Sequence, residues 1–330
     1  MLVVHLHFHS RTTGITKSIE SILPFLGKYV NAKVFGYGID AEKIGLQAFL
    51  RQVFGKDSLI IHAHRNNEII FALFLRSLGG KFRLFATRHS ETKPSGLTVY
   101  LMRKADIAIA LTSSMAKDLP VKSKVVRHGV NTSVFKPGEK KLIPGVQQEN
   151  LVSVIGRIRP TKGQADVLTA IAPLLKSNPG WGLVIIGKID DRSYVRSLIA
   201  IAEQNKVLSQ VHLVPSVKNT LDFYHASRAV VIASASEGFS LVCLEALSCG
   251  IVTVATQQVG VHSEVLDNGK NGYLFRYGDT EKLRSILSMI INDKVQFNAE
   301  EIRQAIVDNW DISKSAHELA RIYGILTEKP

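Results

Sequence analysis

The chain has 330 residues, 45% of them hydrophobic and 21% charged, and 41 Lys+Arg against 28 Asp+Glu give a formal net charge of +13. That composition excludes a disordered or low-complexity chain, and the length suffices for roughly two domains of ordinary size. Two cysteines, Cys243 and Cys249, have no metal-ligand partners at useful spacing and are expected as free thiols in a reducing compartment.

In chain order, a strand followed by a helix recurs throughout. Residues 2–8 are apolar but carry neither a basic leader nor a small-residue cleavage site, so they read as a first core strand. Helical spacing follows over 15–26, 41–53 and 69–78, the last ended by Gly79-Gly80. Strands are expected over 32–37, 57–62, 83–87, 107–112 and 124–127. Residues 136–150, with Pro137, Gly138, Pro144 and Gly145, read as an interdomain linker. A second cycle places strands at 151–155, 182–186, 211–214, 229–232 and 251–255, with helices at 165–175, 193–205, 221–225 and 241–247.

Such alternation implies an α/β chain with parallel sheets covered on both faces, hence two Rossmann-like domains facing a central cleft. The expected division is 1–145, 146–310 and a C-terminal helix within 311–330 placed against the first domain. The uncharged run 246–262 is interrupted by Gly250, Gln257, Gln258 and Gly260, so it does not read as a membrane span. The expected location is cytoplasmic, soluble or peripheral at the membrane.

The charge is uneven. Residues 1–145 hold 22 Lys+Arg against 9 Asp+Glu, and the remainder carries 19 of each. A basic half joined to a neutral half suits nucleic acid, phospholipid or a phosphorylated substrate as partner of the first domain, or else is only a solvated cationic surface.

The densest chemical signal is Ser236-Glu237-Gly238-Phe239-Ser240-Leu241-Val242-Cys243-Leu244-Glu245, after the apolar strand at 229–232. A turn at Glu237-Gly238 followed by a helix directs the amides of Phe239, Ser240 and Leu241 out of a helix N-terminus, which favours a phosphate. Glu245 is set to reach the same cleft, where a carboxylate accepts both hydroxyls of a ribose diol. The alternative is a helix-capping Glu237 and a solvated Glu245. In Gly156-Arg157-Ile158-Arg159-Pro160-Thr161-Lys162-Gly163, two cations span a loop at the carboxyl end of a strand and suit a diphosphate. No Gly-Lys-Ser/Thr ends that loop, so it is not a Walker loop. Arg11-Thr12-Thr13-Gly14 holds the equivalent place in the first domain, Gly14 allowing close approach of a ligand to the helix. Arg11, Arg65 and Arg88 are expected in strand-end loops facing the cleft. His5, His7 and His9 alternate along one strand and its exit, and His62 and His64 along another; zinc is the alternative they raise, yet no cysteine or carboxylate completes a metal set. His89 ends an apolar strand and is placed to act as a donor or base near neutral pH. Asp190-Asp191 reads as a solvated turn.

Together these residues resemble the family-4 retaining glycosyltransferases of GT-B architecture, over nearly the whole chain. The anchors are Gly14, His89, His128-Gly129-Val130-Asn131 with Phe135, Gly156-Arg157 with Lys162-Gly163, and Glu237 with Glu245. Within that family, His9 to Thr16 and His62 to Glu68 are similar to stretches of bacterial lipopolysaccharide-core mannosyltransferases. The resemblance implies a nucleotide-sugar donor held mainly by the second domain. Arg157 and Lys162 would hold its diphosphate, Glu245 its ribose, Glu237 its sugar, and the backbone from Gly238 through Phe239 and Ser240 to Leu241 both sugar and phosphate. His89 would contact the donor sugar. Arg11, Thr12, Thr13, Arg65 and Arg88 are the acceptor-side candidates. Two departures stand out: Thr13-Gly14 where the family commonly has Gly-Gly, and Asn131 where aspartate is more usual.

The leading expectation is therefore retaining transfer of a hexose, first mannose from GDP-mannose, to an anionic lipid-linked saccharide such as lipopolysaccharide core. It needs no metal ion and no other cofactor, and an anionic inner-membrane surface is a further partner. A UDP-sugar donor (glucose, galactose or N-acetylglucosamine) is the rival within the class. A nucleic-acid-binding protein is the rival outside it, without a helix-turn-helix, RNP or finger signature; a scaffold that has lost activity conflicts with the intact Arg157, Lys162, Glu237 and Glu245.

Overall fold

A computed structural model describes residues 1–217 and 219–324. It divides into two compact units, residues 1–131 with the segment from Trp310 onward, and residues 132–309.

The first unit carries β1 (Leu2–Phe8), α1 (Gly14–Leu26), β2 (Asn31–Tyr37), α2 (Leu46–Phe54), β3 (Leu59–Ala63), α3 (Asn66–Ser77), β4 (Arg83–Arg88), α4 (Gly96–Lys104), β5 (Ile107–Ala110), α5 (Ser113–Asp118) and β6 (Ser123–Val125). Its sheet is parallel throughout in the order β2-β1-β3-β4-β5-β6. Successive strand residues point to opposite faces, so Val4, Leu6, Ile61 and Leu84 build one apolar layer and Val3, Ile60, Phe85 and Ile109 the other. Residues 41–45 are not helical as expected; they run beside β2, with Val34 N–H donating to Glu42 O and Ile44 N–H to Val34 O, and α2 begins only after Gly45.

The second unit carries β7 (Asn150–Ile155), α6 (Gln164–Ser177), β8 (Trp181–Ile186), α7 (Arg192–Gln204), β9 (Val211–Val214), α8 (Leu221–Ala226), β10 (Ser227–Ile232), α9 (Leu241–Ser248), β11 (Val252–Thr256), α10 (His262–Val265), β12 (Gly272–Phe275), α11 (Thr280–Ile291) and α12 (Ala299–Trp310). Its parallel order is β12-β11-β10-β7-β8-β9. A last helix, α13 (Ile312–Tyr323), returns to the first unit, where Ile312, Ala316 and Leu319 seal one face of the sheet.

The division falls earlier than the sequence reading placed it. Residues 132–145 belong to the second unit rather than to a domain ending at 145. Arg303 donates to the carbonyls of Thr132 and Phe135 at 2.9 and 3.0 Å, and His225 Nε2 bonds Lys136 O at 2.9 Å. Ile143 packs with Leu151 and Phe223. The Pro/Gly-rich stretch is thus ordered onto that core. Net charge still separates the units, since residues 1–131 hold 19 Lys+Arg against 8 Asp+Glu.

Candidate active site

In the second unit, the carboxyl ends of β7 and β10 position two loops against each other. Gly163 adopts φ +67°, and a Cβ there would come within 2.1 Å of Ala233 O; Ala235 N–H donates to Thr161 O at 3.0 Å. Only glycine permits this contact, and it presses the 156–163 loop onto the end of β10. Lys162 Nζ is thereby brought to Glu237 Oε1, which also accepts from Ser234 Oγ at 2.7 Å. Both partners are largely shielded, at 17% and 16% side-chain exposure.

Glu237 is not on the helix. α9 starts at Leu241, and its N-cap Ser240 sits at φ +79° with no side-chain bond to the helix amides. Instead Ser240 Oγ pairs with His262 Nε2 at 2.7 Å, while His262 Nδ1 pairs with Thr256 O at 2.8 Å. Gly260 holds the turn from behind, where a Cβ would meet Phe239 O at 2.7 Å. The cap side chain is diverted, so the first-turn amides at Leu241 remain available to an anion in the positive field of the helix end. Strained backbone held by several contacts is characteristic of functional sites.

Glu245 lies one turn into α9 and accepts a 2.6 Å bond from Tyr224 Oη. Burial raises its carboxyl above the usual carboxylate range, and the Tyr224 bond opposes that rise. Neither a helix cap nor a solvated residue describes the two glutamates: one is ion-paired, the other oriented by a buried tyrosine. No sequence signal marks Tyr224 for this role, since it is a lone tyrosine on the short helix α8. Arg157 differs from expectation. It is 47% exposed and pairs with Asp190 Oδ2 at 3.2 Å. Asp190 is thus its counter-ion rather than a solvated turn residue, and Asp191 caps α7. Both cysteines are free and buried, with burial pushing Cys249 up to about 12 and Cys243 higher still.

In the first unit, Thr13 caps α1 in a reciprocal pair with Thr16, and space around Gly14 is open. Arg11 and Thr12 are exposed. Two expected loop cations are not in that role. Arg65 donates to Glu68 Oε1 at 3.0 Å and Thr13 Oγ1 at 3.1 Å, with Glu68 fully buried and accepting the amides of Phe8, His64 and Arg65. Arg88 is the last residue of β4, buried, and bound to Thr92 O. Arg88 falls inside β4, which runs one residue further than the apolar pattern indicated, whereas Arg65, in the loop before α3, is turned onto Glu68 and Thr13.

His89, just beyond β4, lines a cavity of about 240 Å³ with Arg65, Arg88 and Thr98. Burial, then His128 and Arg65, hold its pKa well below 6.5, so at neutral pH it is a neutral imidazole rather than a titrating base. His128 lies against it, centroids 5.4 Å apart. One ring nitrogen from each of His5, His62 and His64 lies within 4.8 Å of the other two, a grouping that joins the two histidine-bearing strands. Those nitrogens are engaged in hydrogen bonds, His5 Nδ1 with His64 Nε2 at 3.0 Å and His62 Nε2 with Thr87 Oγ1 at 2.6 Å.

Comparison with known proteins agrees with this geometry. The family model described as glycosyl transferases group 1 matches residues 136–309, just over half of the chain. The lipopolysaccharide core biosynthesis mannosyltransferase LpsB of Rhizobium meliloti (strain 1021) is 26% identical, with 97% of this chain and 96% of that protein covered. LpcC of Rhizobium leguminosarum bv. viciae, of the same description, is 25% identical over 97% and 95%. Among solved structures, Anabaena HepE in complex with UDP superposes with a TM-score of 0.82 at 18% identity, covering 99% of this chain and all of that one. The fold is that of the GT-B glycosyltransferases.

Proposed function

The chain belongs to the glycosyl transferases group 1 family and is a glycosyltransferase; from that premise we propose that it transfers mannose from GDP-mannose, with retention, to an anionic lipid-linked saccharide such as lipopolysaccharide core. The observation that carries this reading is Lys162 paired with Glu237 beside the open N-terminus of α9. Cleaving an anomeric carbon–phosphate bond develops positive charge on the sugar and negative charge on the departing diphosphate. Lys162, Arg157 and the α9 amides stabilise the leaving diphosphate, and Glu237 orients the sugar while neutralising Lys162 before donor arrives. Glu245, oriented by Tyr224, takes the ribose hydroxyls. His89 offers the sugar a neutral hydrogen-bonding ring. Attack proceeds on the face the leaving group departs from, and the leaving phosphate accepts the acceptor's proton. These charges stand in for a metal ion, so turnover persists in EDTA; abolition with rescue by Mg2+ would overturn that point.

The mannosyltransferase relatives support mannose as the sugar. A UDP-sugar is the second reading, favoured by the UDP in the HepE structure. A thermal-shift panel of GDP-mannose against UDP-sugars, followed by turnover on core saccharides, separates them. Stabilisation by UDP-sugars alone would overturn the first choice.

A peripheral place on the inner, anionic membrane surface is supported by the first unit's charge and by its exposed apolar residues. Ile70, Phe74 and Leu78 recur every four residues along α3 and its end, and Leu97 and Tyr100 lie on the neighbouring α4. Lys104 Nζ rests 5.6 Å from the Tyr100 ring. Among the described residues no helix is long and apolar enough to cross a membrane. Binding to anionic vesicles that falls with salt and with Phe74→Ser is expected; equal binding to neutral vesicles would count against it.

A further inference from the structure

Five buried side chains on or next to four separate elements form a continuous line behind His89. His89 Nε2 meets His64 Nδ1 at 3.0 Å, His64 Nε2 meets His5 Nδ1 at 3.0 Å, and His5 Nε2 meets Tyr323 Oη at 3.5 Å. Tyr323 Oη continues to His62 Nδ1 at 2.5 Å, and His62 Nε2 ends on Thr87 Oγ1 at 2.6 Å. The His5 and His64 ring planes differ by 12° with centroids 5.2 Å apart. With nitrogens only 3.0 Å apart, such rings lie edge to edge in one plane, not face to face. A cation shared by His5, His62 and His64 would need their lone pairs to converge on one point; the in-plane bond instead sets a proton between two of these rings.

We propose that His64, His5 and Tyr323 act as positioning residues for His89, a hydrogen-bonded relay that ties its tautomer to those of the rings behind it. The proposal rests on the reading of His89 as a sugar-contacting residue. Each neutral imidazole has one donor and one acceptor nitrogen, and with the Tyr323 hydroxyl proton given to His62 or to His5 every bond in the line points the same way. If Tyr323 donates to His62, then His5 donates to Tyr323, His64 to His5, and His89 donates through Nε2, leaving Nδ1 as an acceptor. If Thr87 donates to His62, every direction reverses and His89 carries its proton on Nδ1. Each ring keeps one proton in both arrangements, and no charge is created. A single ring cannot change alone.

The surroundings keep the line neutral. His5 is lowered to about 4 by burial; His62 is held well below 6.5 by burial and then His5, and His64 by burial and then His62. Arg65 opposes protonation of both His64 and His89, and His128 of His89. With Nε2 committed to His64, Nδ1 is the nitrogen His89 has for a ligand; among the described residues it makes no hydrogen bond. Tyr323, midway along the line, is the last residue of α13, and its backbone carbonyl is in turn held by Arg83 at 3.2 Å.

The test is long-range proton–nitrogen correlation NMR on the full chain labelled with 15N-histidine. The wild type is expected to show His89 as one neutral tautomer from about pH 8 down to about pH 6, where a free histidine would titrate. Tyr323→Phe deletes one oxygen, and Thr87→Val removes the terminal hydroxyl with little change of shape. Both should give His89 a mixture of tautomers, with kcat lowered about three- to tenfold, the scale of one net hydrogen bond, at unchanged donor KM. An identical single tautomer of His89 in Tyr323→Phe, Thr87→Val and His5→Gln overturns the proposal. Wild-type turnover in His89→Gln, with the tautomer response to Tyr323→Phe intact, removes His89 from the sugar contact and leaves the relay standing.

Discussion

Replacing Lys162 by methionine tests the second-unit site most directly, because it keeps the chain length and deletes one charge. In the free protein the loss removes the cation from Glu237 and leaves the bond from Ser234 Oγ in place. An exposed ion pair is worth about 0–1 kcal/mol and a fully buried one costs about 3–5 kcal/mol when broken. At 17% and 16% exposure the pair lies between, and about 1–2 kcal/mol is expected, a fall in Tm of roughly 2–8 °C for a unit of this size. Catalysis should suffer more. Losing one charge-assisted contact to the leaving diphosphate costs about 2–4 kcal/mol of transition-state stabilisation, about 30- to 900-fold in kcat. The assay is initial rate at saturating donor, with calorimetry on the same preparation. Glu237→Gln and the double variant complete a cycle: their coupling in stability reports the pair, and their coupling in kcat reports shared action on the donor. Near-normal kcat in Lys162→Met, with Tm lowered as expected, would show the pair to be structural and refute its assignment to the diphosphate.

Both sheets were legible because parallel strands buried on two faces leave short β-branched runs such as Ala229 to Ile232, whatever lies beside them. The glycine-bounded loops at 156–163 and 237–240 were legible for a related reason: special backbone conformations restrict residue type locally. What those loops touch was not. Arg157 and Lys162 look alike in sequence, yet one pairs with Asp190 and the other with Glu237, because Gly163 fixes only the end of the loop. Arg65 and Arg88 read as free cations, since nothing local reveals that Glu68 and the carbonyl of Thr92 await them. The histidine line needed residues 5, 64, 89 and 323 in one place. No periodicity carries separations of that length, and the extended residues 41–45 show the reverse failure, helical spacing overridden by pairing with β2.

Three further outcomes follow from named contacts. Asp190→Asn frees Arg157 from a half-exposed pair worth about 0.2–1 kcal/mol, so donor KM should fall by roughly 1.5- to 5-fold; a rise would place Asp190 itself on the donor. Tyr224→Phe leaves the Glu245 carboxyl without its orienting donor, and donor KM should rise about three- to tenfold; because burial already raises that carboxyl, donor affinity in either protein should decline on acidification sooner than an ordinary carboxylate would dictate. The last outcome is acid lability of the first unit. Burial lowers His5 and His128 to about 4 from an unfolded value of 6.5, and His62, His64 and His89 shift the same way. A depressed pKa means the unfolded chain binds the proton first, so the stability these rings contribute is complete above pH 6.5 and is lost as pH falls toward 4. At about pH 5.5, His5 and His128 each forfeit on the order of 1 kcal/mol, before ordinary carboxylates have begun to protonate. Calorimetry from about pH 7.5 to about pH 5.5 should therefore show a steep fall in the Tm of the transition weakened by Leu319→Ala, which marks the first unit. A flat Tm over that range would mean the histidines are not buried as neutral rings, and the line from Tyr323 to His89 would lose its foundation with them.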